Sequence, residues 1–198
     1  MAKNKVKYNL KNAHYAMLTV DEDGTVSYAS PVALPGAVSI SLDANGEPEN
    51  FYADGVAYYV INNNMGYDGD LELAMIPEDF RVSALNETLD DKKVLIENAN
   101  TELNPFALLF EFDGDVKHIR HVLYNCSASR PGIEGKTNEE NREVQTETLS
   151  IKATPLASGV VKAKTGDSTD AAVYADWYKA VYMPSIAETG SGTDQVGV

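Results

Sequence analysis

The sequence predicts a mainly β fold with two packed antiparallel sheets, arranged as a sandwich or a split barrel, one flanking short α-helix and one long hairpin. Three observations support this fold class. The chain has eleven tyrosines and 14 glycines against one tryptophan, which favours strands and turns. Apolar runs of strand length are separated by Asp-Gly and Asn-Gly pairs, which supply tight hairpin turns. Residues 66–76 alternate between apolar and acidic side chains, the period of a strand with one wet face.

One domain is predicted over residues 1–184, and it carries two appendages. The first is the basic N-terminal segment 1–13, which reads as an arm or an edge strand, and the second is the loop 127–141. The tail, residues 185–198, is small and polar and is expected to be flexible. The lysines of the arm are Lys3, Lys5, Lys7 and Lys11.

Several short strands are expected between the arm and the acidic strand. Residues 14–20 and 25–29 surround an acidic turn ending in Gly24 and predict a first hairpin. Its turn faintly resembles a calcium loop but lacks the later oxygen ligands, so no metal site is expected there. Three further strands, joined by Asn-Gly and Asp-Gly turns, are predicted at residues 37–42, 50–53 and 56–61.

The strand at residues 66–76 has one face of carboxylates at two-residue spacing. Like charges this close need water, so that face is an outer surface or the wall of a wet channel. Pro77 and the two acids after it then favour the start of a short helix to about residue 86, which would pack through Phe80 and Ala84. The carboxylates of the strand are Asp68, Asp70 and Glu72.

The long hairpin is predicted at residues 104–126, with both strands apolar on both faces and therefore covered on both. If Asp113 and Gly114 form the whole turn, Phe110 lies opposite Lys117, and one further loop residue shifts every pair. One face of its first strand would carry Phe106, Leu108, Phe110 and Phe112.

The chain after Cys126 is expected to begin with a charged loop and continue with a long strand at residues 142–154. The apolar parity changes between Thr148 and Leu149, which predicts a bulge or a strand that passes from one sheet to another. A short strand follows, and then a helix capped by Ser168 or Thr169. The charged residues of the loop are Arg130, Glu134, Lys136, Glu139 and Glu140.

The charge of the chain, −14, is concentrated in one part of the sequence. Residues 12–80 contain twelve Asp and Glu and no Lys or Arg, whereas the rest has 16 basic and 18 acidic residues. Nucleic-acid readers need a basic face, so this pattern excludes that class. Acidic surfaces also simply keep proteins soluble, and composition alone leaves that alternative open.

No catalytic or metal-binding motif is apparent, so neither an enzyme nor a cofactor is predicted. His118 and His121 would lie on opposite faces of a strand and are read as packing residues. Cys126 has no second cysteine and no basic cluster nearby, so it is read as an unreactive thiol. No signal peptide and no membrane span are expected, which implies synthesis in the cytoplasm.

Most of the chain, from about residue 5 to 184, resembles a known family. The segments that carry the likeness, in order and spacing, are IPEDF at 76–80, PFALLFEFDGD at 105–115, RHVLYNCSASRPGIEG at 120–135, QTETLSIKATP at 145–155, VVKAKTGD at 160–167 and WYKAVYMP at 177–184. They resemble the major tail protein of long-tailed bacteriophages with non-contractile tails (siphophages).

This resemblance implies a structural virion protein, made in the bacterial host, that forms the tail tube. Six copies would close into a ring, and rings would stack around the tape measure protein between a tail tip initiator and a terminator. Double-stranded DNA would later pass through the bore without specific binding. The acidic strand face is then expected to line the bore. The lysine arm is expected to meet a neighbouring subunit, and the loop 127–141 to bridge rings.

Two other functions are considered. The first is a tube protein of a contractile injection machine or a type VI secretion system, which the family likeness favours less. The second is a carbohydrate-binding β-sandwich, in which exposed aromatic rings would stack on sugars. The rings available for such stacking are Tyr52, Tyr58, Tyr59 and Tyr67.

Overall fold

The computed structural model describes residues 3–61, 63–138 and 143–185, which form a mainly β fold as predicted. The strands are β1 (Lys7–Val20), β2 (Val26–Tyr28), β3 (Val32–Ala33), β4 (Ala37–Asn45), β5 (Glu49–Ala53), β6 (Val56–Ile61), β7 (Gly66–Leu73), β8 (Thr88–Leu89), β9 (Leu95–Ile96), β10 (Phe106–Gly114), β11 (Ile119–Ala128), β12 (Glu147–Ala153) and β13 (Lys162–Lys164). The helices are α1 (Glu78–Ser83) and α2 (Ala171–Asp176).

Nine strands form one antiparallel path in the order β2-β1-β10-β11-β12-β7-β4, with β13 added to β11 and β3 to β1. The path curls until β4 lies beside β1, so its two halves face each other. This is the sandwich-like arrangement that the sequence predicts. Two small hairpins, β5-β6 and β8-β9, stand outside the path.

The main core lies between the two halves of the path. Apolar side chains of β1, β7, β10, β11 and β12 meet there, and α1 adds Phe80, which packs edge-to-face against Phe106 at 5.3 Å between ring centroids. A second core covers the opposite face of β1, β10 and β11, where Trp177 and the segment around α2 pack on Tyr124. The central strands are therefore buried on both faces, as predicted for the long hairpin.

The turn of the long hairpin differs from the prediction. Phe110 lies opposite His121, not Lys117, and Asp113 and Gly114 continue β10 because they pair with Tyr8 and Lys7 of β1. The chain turns at residues 115–118. The side chain of Asn4 closes this turn by accepting from the backbone N–H groups of Val116 and Lys117 and donating to the carbonyl of Lys117.

The N-terminal segment is not a detached arm over residues 7–13, because these residues begin β1 and pair with β10 of the same chain. The edge-strand alternative describes them better. Other local predictions also need correction. The cap of α2 is Asp170, whose carboxylate accepts from the N–H groups of Ala172 and Val173, and not Ser168 or Thr169. The ladder between β12 and β7 is regular and β12 stays within the main sheet, so neither the bulge nor the change of sheet predicted near Leu149 is found in it.

A buried ion pair joins the second core to the sheet. Glu111 of β10 is 3% exposed, and its carboxylate accepts from Arg120 Nε at 3.0 Å and from the amide of Asn12 at 2.6 Å. The guanidinium of Arg120 lies over the ring of Tyr174 at 3.9 Å and also donates to the Tyr174 carbonyl. The hydroxyl of Tyr178 also donates to the Glu111 carboxylate, at 3.3 Å. These contacts tie α2 and the chain after it to the central hairpin.

Gly66 is expected to tolerate no side chain. Its φ is +101°, and a Cβ there would collide with the backbone carbonyl oxygen of Ala153 on the neighbouring strand. We expect Gly66→Ala to lower the free energy of unfolding by about 2 to 4 kcal/mol, as strain and overpacking add. Urea unfolding would measure the loss. Gly55→Ala is the matched control, since Gly55 has φ +77° but open space around it. Equal losses in both variants would contradict the collision.

Candidate assembly surfaces

The acidic strand face occupies the outer side of three neighbouring strands. Asp68, Asp70 and Glu72 point away from the core, because Leu71 and Leu73, on the opposite face of the same strand, are buried. The three carboxylates therefore share one face of β7, as the alternation predicts, with Asp70 exposed and Asp68 and Glu72 half-buried. On either side, the outward residues of β4 and β12 are polar as well, and they include Ser39, Ser41, Asp43, Thr148, Ser150 and Lys152.

Hydroxyl and amide groups hold the carboxylates of this face in fixed positions. The Glu72 carboxylate accepts from Thr146 at 2.6 Å and from Ser39 at 2.8 Å, and these hydrogen bonds lower the pKa of Glu72. Asp70 accepts from Ser150 at 2.8 Å. These partners are neutral, so they orient the charges without cancelling them. With Asp43, Asp68, Asp70 and Glu72 against Lys152, the described part of this face has a net charge of −3.

The four lysines of the N-terminal segment lie in different surroundings. Lys11 is paired with Asp113 at 2.7 Å, and this hydrogen bond raises the pKa of Lys11. Lys7 lies over the ring of Phe112, with its Nζ 4.5 Å from the centroid. Lys3 and Lys5 are exposed, and the backbone N–H of Lys5 donates to Asp115. Lys3 and Lys5 therefore remain candidates for contact with a neighbour, whereas Lys11 is already engaged within its own chain.

The predicted inter-ring loop begins later than expected, because β11 continues to Ala128. Arg130 is tied to its own chain by an ion pair with Glu97 at 3.2 Å and by a hydrogen bond to the Asn98 carbonyl. Glu134 and Lys136 are exposed. The remaining two candidates, Glu139 and Glu140, lie outside the described residues, as does the part of the tail from 186 to 198.

The β5-β6 hairpin entered the sequence reasoning only through its tyrosines, as rings for the sugar-binding alternative. Its strands and its Asp54-Gly55 turn are where the sequence placed them, with both turn residues at positive φ. Exposure along its whole length was not predicted: every residue of β6 is exposed, and so are four of the five in β5. Its large exposed side chains are Phe51, Tyr52, Val56, Tyr58, Tyr59, Val60 and Ile61. One signal was available: β6 is an uninterrupted apolar run of six residues with no polar face to turn toward water.

The four tyrosines considered for sugar binding do not form one platform. Tyr52, Tyr58 and Tyr59 belong to the β5-β6 hairpin. Tyr67 lies in β7, half-buried beneath Lys162, whose Nζ is 4.1 Å from the ring centroid. This separation gives no support to the carbohydrate-binding alternative.

A cleft of about 340 Å³ opens between β4 and the hairpin β10-β11. At its base, His121 stacks on Phe110 at 5.1 Å and meets the edge of Phe112 at 5.6 Å between centroids. Burial, together with the positive charges of nearby Lys164, Lys7 and Lys162, lowers the pKa of His121 from 6.5 to about 4. The imidazole is therefore neutral in the folded protein at neutral pH.

This histidine should make stability depend on pH. Between pH 6.5 and 4 the unfolded chain binds a proton that the folded chain does not, so the free energy of unfolding falls as the pH falls. We expect His121→Gln to remove up to about 3 kcal/mol of this loss. Urea unfolding of both proteins at several pH values would test this prediction. The pH profile of His121→Gln shows the part of the loss that comes from titration of carboxylates, and the difference between the two profiles is the part that comes from His121. Parallel pH profiles for the two proteins would contradict it.

In the described part of the chain, no helix has the length and apolarity needed to cross a membrane. Among the same residues, no group of His, Cys, Asp and Glu is arranged to hold a metal ion. Cys126 is buried, and burial raises the pKa of its thiol to about 12.

No protein-family model matches the chain, and no curated protein sequence matches it.

Proposed function

We propose that this chain is a self-assembling structural subunit of a phage tail tube, in which six copies close into a ring and rings stack. The observation that carries the proposal is the β5-β6 hairpin, which presents apolar and aromatic side chains on both faces. A lone two-stranded hairpin is marginally stable in water, and contiguous exposed apolar surface marks an interaction site. A neighbouring subunit would cover these side chains and hold the hairpin in place.

The end strand of the main sheet, which lies beside β1 without pairing with it, supports the same proposal. Strand β4 ends the path, and in the described residues it has a strand partner only on its β7 side. An unpaired edge is a template for a strand from another chain. Continuation of the sheet from subunit to subunit would remove these edges by closing a ring. The side chains of β4 give this edge little protection against pairing with another chain, because Asp43 is the one charged residue in the strand.

The acidic face supports a role for this sheet as the wall of the bore. It is continuous over β4, β7 and β12, contains no exposed aromatic ring and keeps a net charge of −3. A conduit for DNA must not bind it, and fixed carboxylates repel phosphates within a Debye length of about 8 Å. In this proposal the tape measure protein fills the bore before DNA does. The tail tip lies at one end of the tube and the terminator protein at the other. The tube is assembled in the host cytoplasm and becomes part of the virion.

Measurement of the mass of the purified protein as a function of concentration, with negative-stain electron microscopy of each sample, would test the proposal. We expect rings or hollow tubes with sixfold end views above a critical concentration. If the protein stays monomeric, purified tail tips are added to supply a nucleus. A protein that remains monomeric with tail tips present would overturn the proposal. Assembly of a surrounding sheath would instead favour a contractile machine.

A further inference from the structure

Three lysines lie at or beside the cleft between β4 and the β10-β11 hairpin: Lys7 and Lys162 line it, and Lys164 is the strand partner of its wall residue His121. Lys162 and Lys164 alternate with the inward Ala163 on β13, and Lys164 lies directly opposite His121 of β11. Lys7 reaches the same cleft from β1. Within the described residues none of the three ammonium groups forms an ion pair with a carboxylate, and Lys162 donates to the neutral hydroxyl of Tyr67. We call this site the lysine cleft.

The walls of the lysine cleft are aromatic. Phe110, Phe112 and His121 form one packed group at its base, and Tyr67 lies on the β7 side. Lys7 and Lys162 are placed over the rings of Phe112 and Tyr67, at 4.5 and 4.1 Å from the centroids. Such a surface suits a ligand that combines carboxylates with flat apolar rings. Its volume, about 340 Å³, is sufficient for an anchoring side chain but not for a whole strand.

The β5-β6 hairpin has the complementary chemistry. Glu49 and Asp54 are exposed, Glu47 lies just before β5, and the hairpin has no basic residue. Glu49 and Asp54 bracket two exposed rings, Phe51 and Tyr52, of which Tyr52 is 65% exposed. The hairpin of a given subunit does not occupy that subunit's own cleft, since its side chains remain exposed. A hairpin that fills the cleft must therefore come from another molecule.

We propose that the lysine cleft receives the acidic, aromatic β5-β6 hairpin of a second copy of this chain. This inference rests on the proposed function and adds the surface that the hairpin meets. Opposite charges would set the register of the contact, and an aromatic side chain would fill the cleft. One subunit carries both the hairpin and the cleft at different places, which permits the head-to-tail contact that a ring or tube of identical copies requires.

Charge reversal on each side of the contact tests this inference. Lys162→Glu with Lys164→Glu should raise the critical concentration for assembly by roughly tenfold or more, because like charges would then face each other. Glu49→Lys with Asp54→Lys should do the same from the hairpin side. A lysine fits at position 54, whose φ is +52°, since Lys93 already adopts φ +64° in this chain. The four changes combined should restore assembly, because the opposite charges meet again with exchanged signs.

The matched control is Lys92→Glu with Lys93→Glu, which makes the same change in net charge at two exposed lysines in the turn of the β8-β9 hairpin. Circular dichroism and the thermal midpoint of each monomer establish that the variants fold. The wild type must assemble for the comparison to be made, and its failure would count against the proposed function. Normal assembly of the cleft variant, or an equal loss in the control, would overturn the lysine cleft as receptor. No rescue by the four-fold variant would overturn the β5-β6 hairpin as its occupant.

Discussion

Replacing Phe51 and Tyr59 by serine is expected to abolish self-assembly while leaving the monomer folded. The two residues are direct cross-strand partners in the β5-β6 hairpin and are 58% and 64% exposed. They contribute little to the core of the isolated subunit, so their loss should cost little monomer stability. In an assembled tube they would be buried aromatic anchors, each worth about 2 kcal/mol or more at every interface. Sedimentation velocity of the variant should show monomer at concentrations where the wild type assembles.

The matched control for this variant is Val94→Ser with Ile96→Ser. These two apolar side chains are also exposed, at 56% and 45%, and they lie on the other small hairpin. Their replacement removes a comparable apolar surface without touching β5 or β6. If the control lost assembly as completely as the Phe51 and Tyr59 variant, exposed apolar surface in general would be responsible. If the Phe51 and Tyr59 variant assembled normally, the hairpin would not be an interface.

The largest loss of stability is expected from Glu111→Ala. This change leaves the guanidinium of Arg120 without its carboxylate partner, with only 16% of its side chain exposed. Removal of one member of a buried ion pair typically costs about 3 to 5 kcal/mol, since the remaining charge is desolvated and unpaired. The hydrogen bonds from Asn12 and Tyr178 to Glu111 are lost as well. Urea unfolding should therefore show a lower midpoint, with the region around α2 loosening first.

Two further variants make this measurement specific. Asp176→Ala breaks the exposed pair between Asp176 and Lys179, where both side chains are more than half exposed, and should cost less than about 1 kcal/mol. Glu111→Leu combined with Arg120→Met removes both charges and should recover much of the lost stability. A loss in Glu111→Ala no larger than in the exposed-pair control would show that the buried pair does not tie α2 to the sheet.

Local patterns determined the parts of the fold that the sequence predicted well. Alternation placed Asp68, Asp70 and Glu72 on one face, because the buried Leu71 and Leu73 fix the orientation of β7. The Asp54-Gly55 turn was also predicted, since the positive φ values it needs are a local property. The sites of carboxylate side chains along a strand thus follow from a period of two.

Contacts between distant segments explain the parts that the sequence did not predict. Asp113 is of a residue type common in turns. It nevertheless remains in β10, because β1 pairs with it and Lys11 binds its carboxylate. The lysine cleft unites Lys7 with Lys162, which are far apart in sequence and adjacent only after the sheet curls. The exposure of the whole β5-β6 hairpin could not be predicted from the sequence for a different reason. Its tyrosines and aliphatics have the composition of a core strand, and only the lack of a covering element distinguishes the two.

An electron cryomicroscopy map of the assembled wild-type protein would test the central claim most directly. We expect a hollow tube of stacked sixfold rings, with Asp68, Asp70 and Glu72 on the inner wall. The β5-β6 hairpin should be buried against a neighbouring subunit. A map with the three carboxylates on the outer wall, or with the hairpin still in solvent between subunits, would contradict the account.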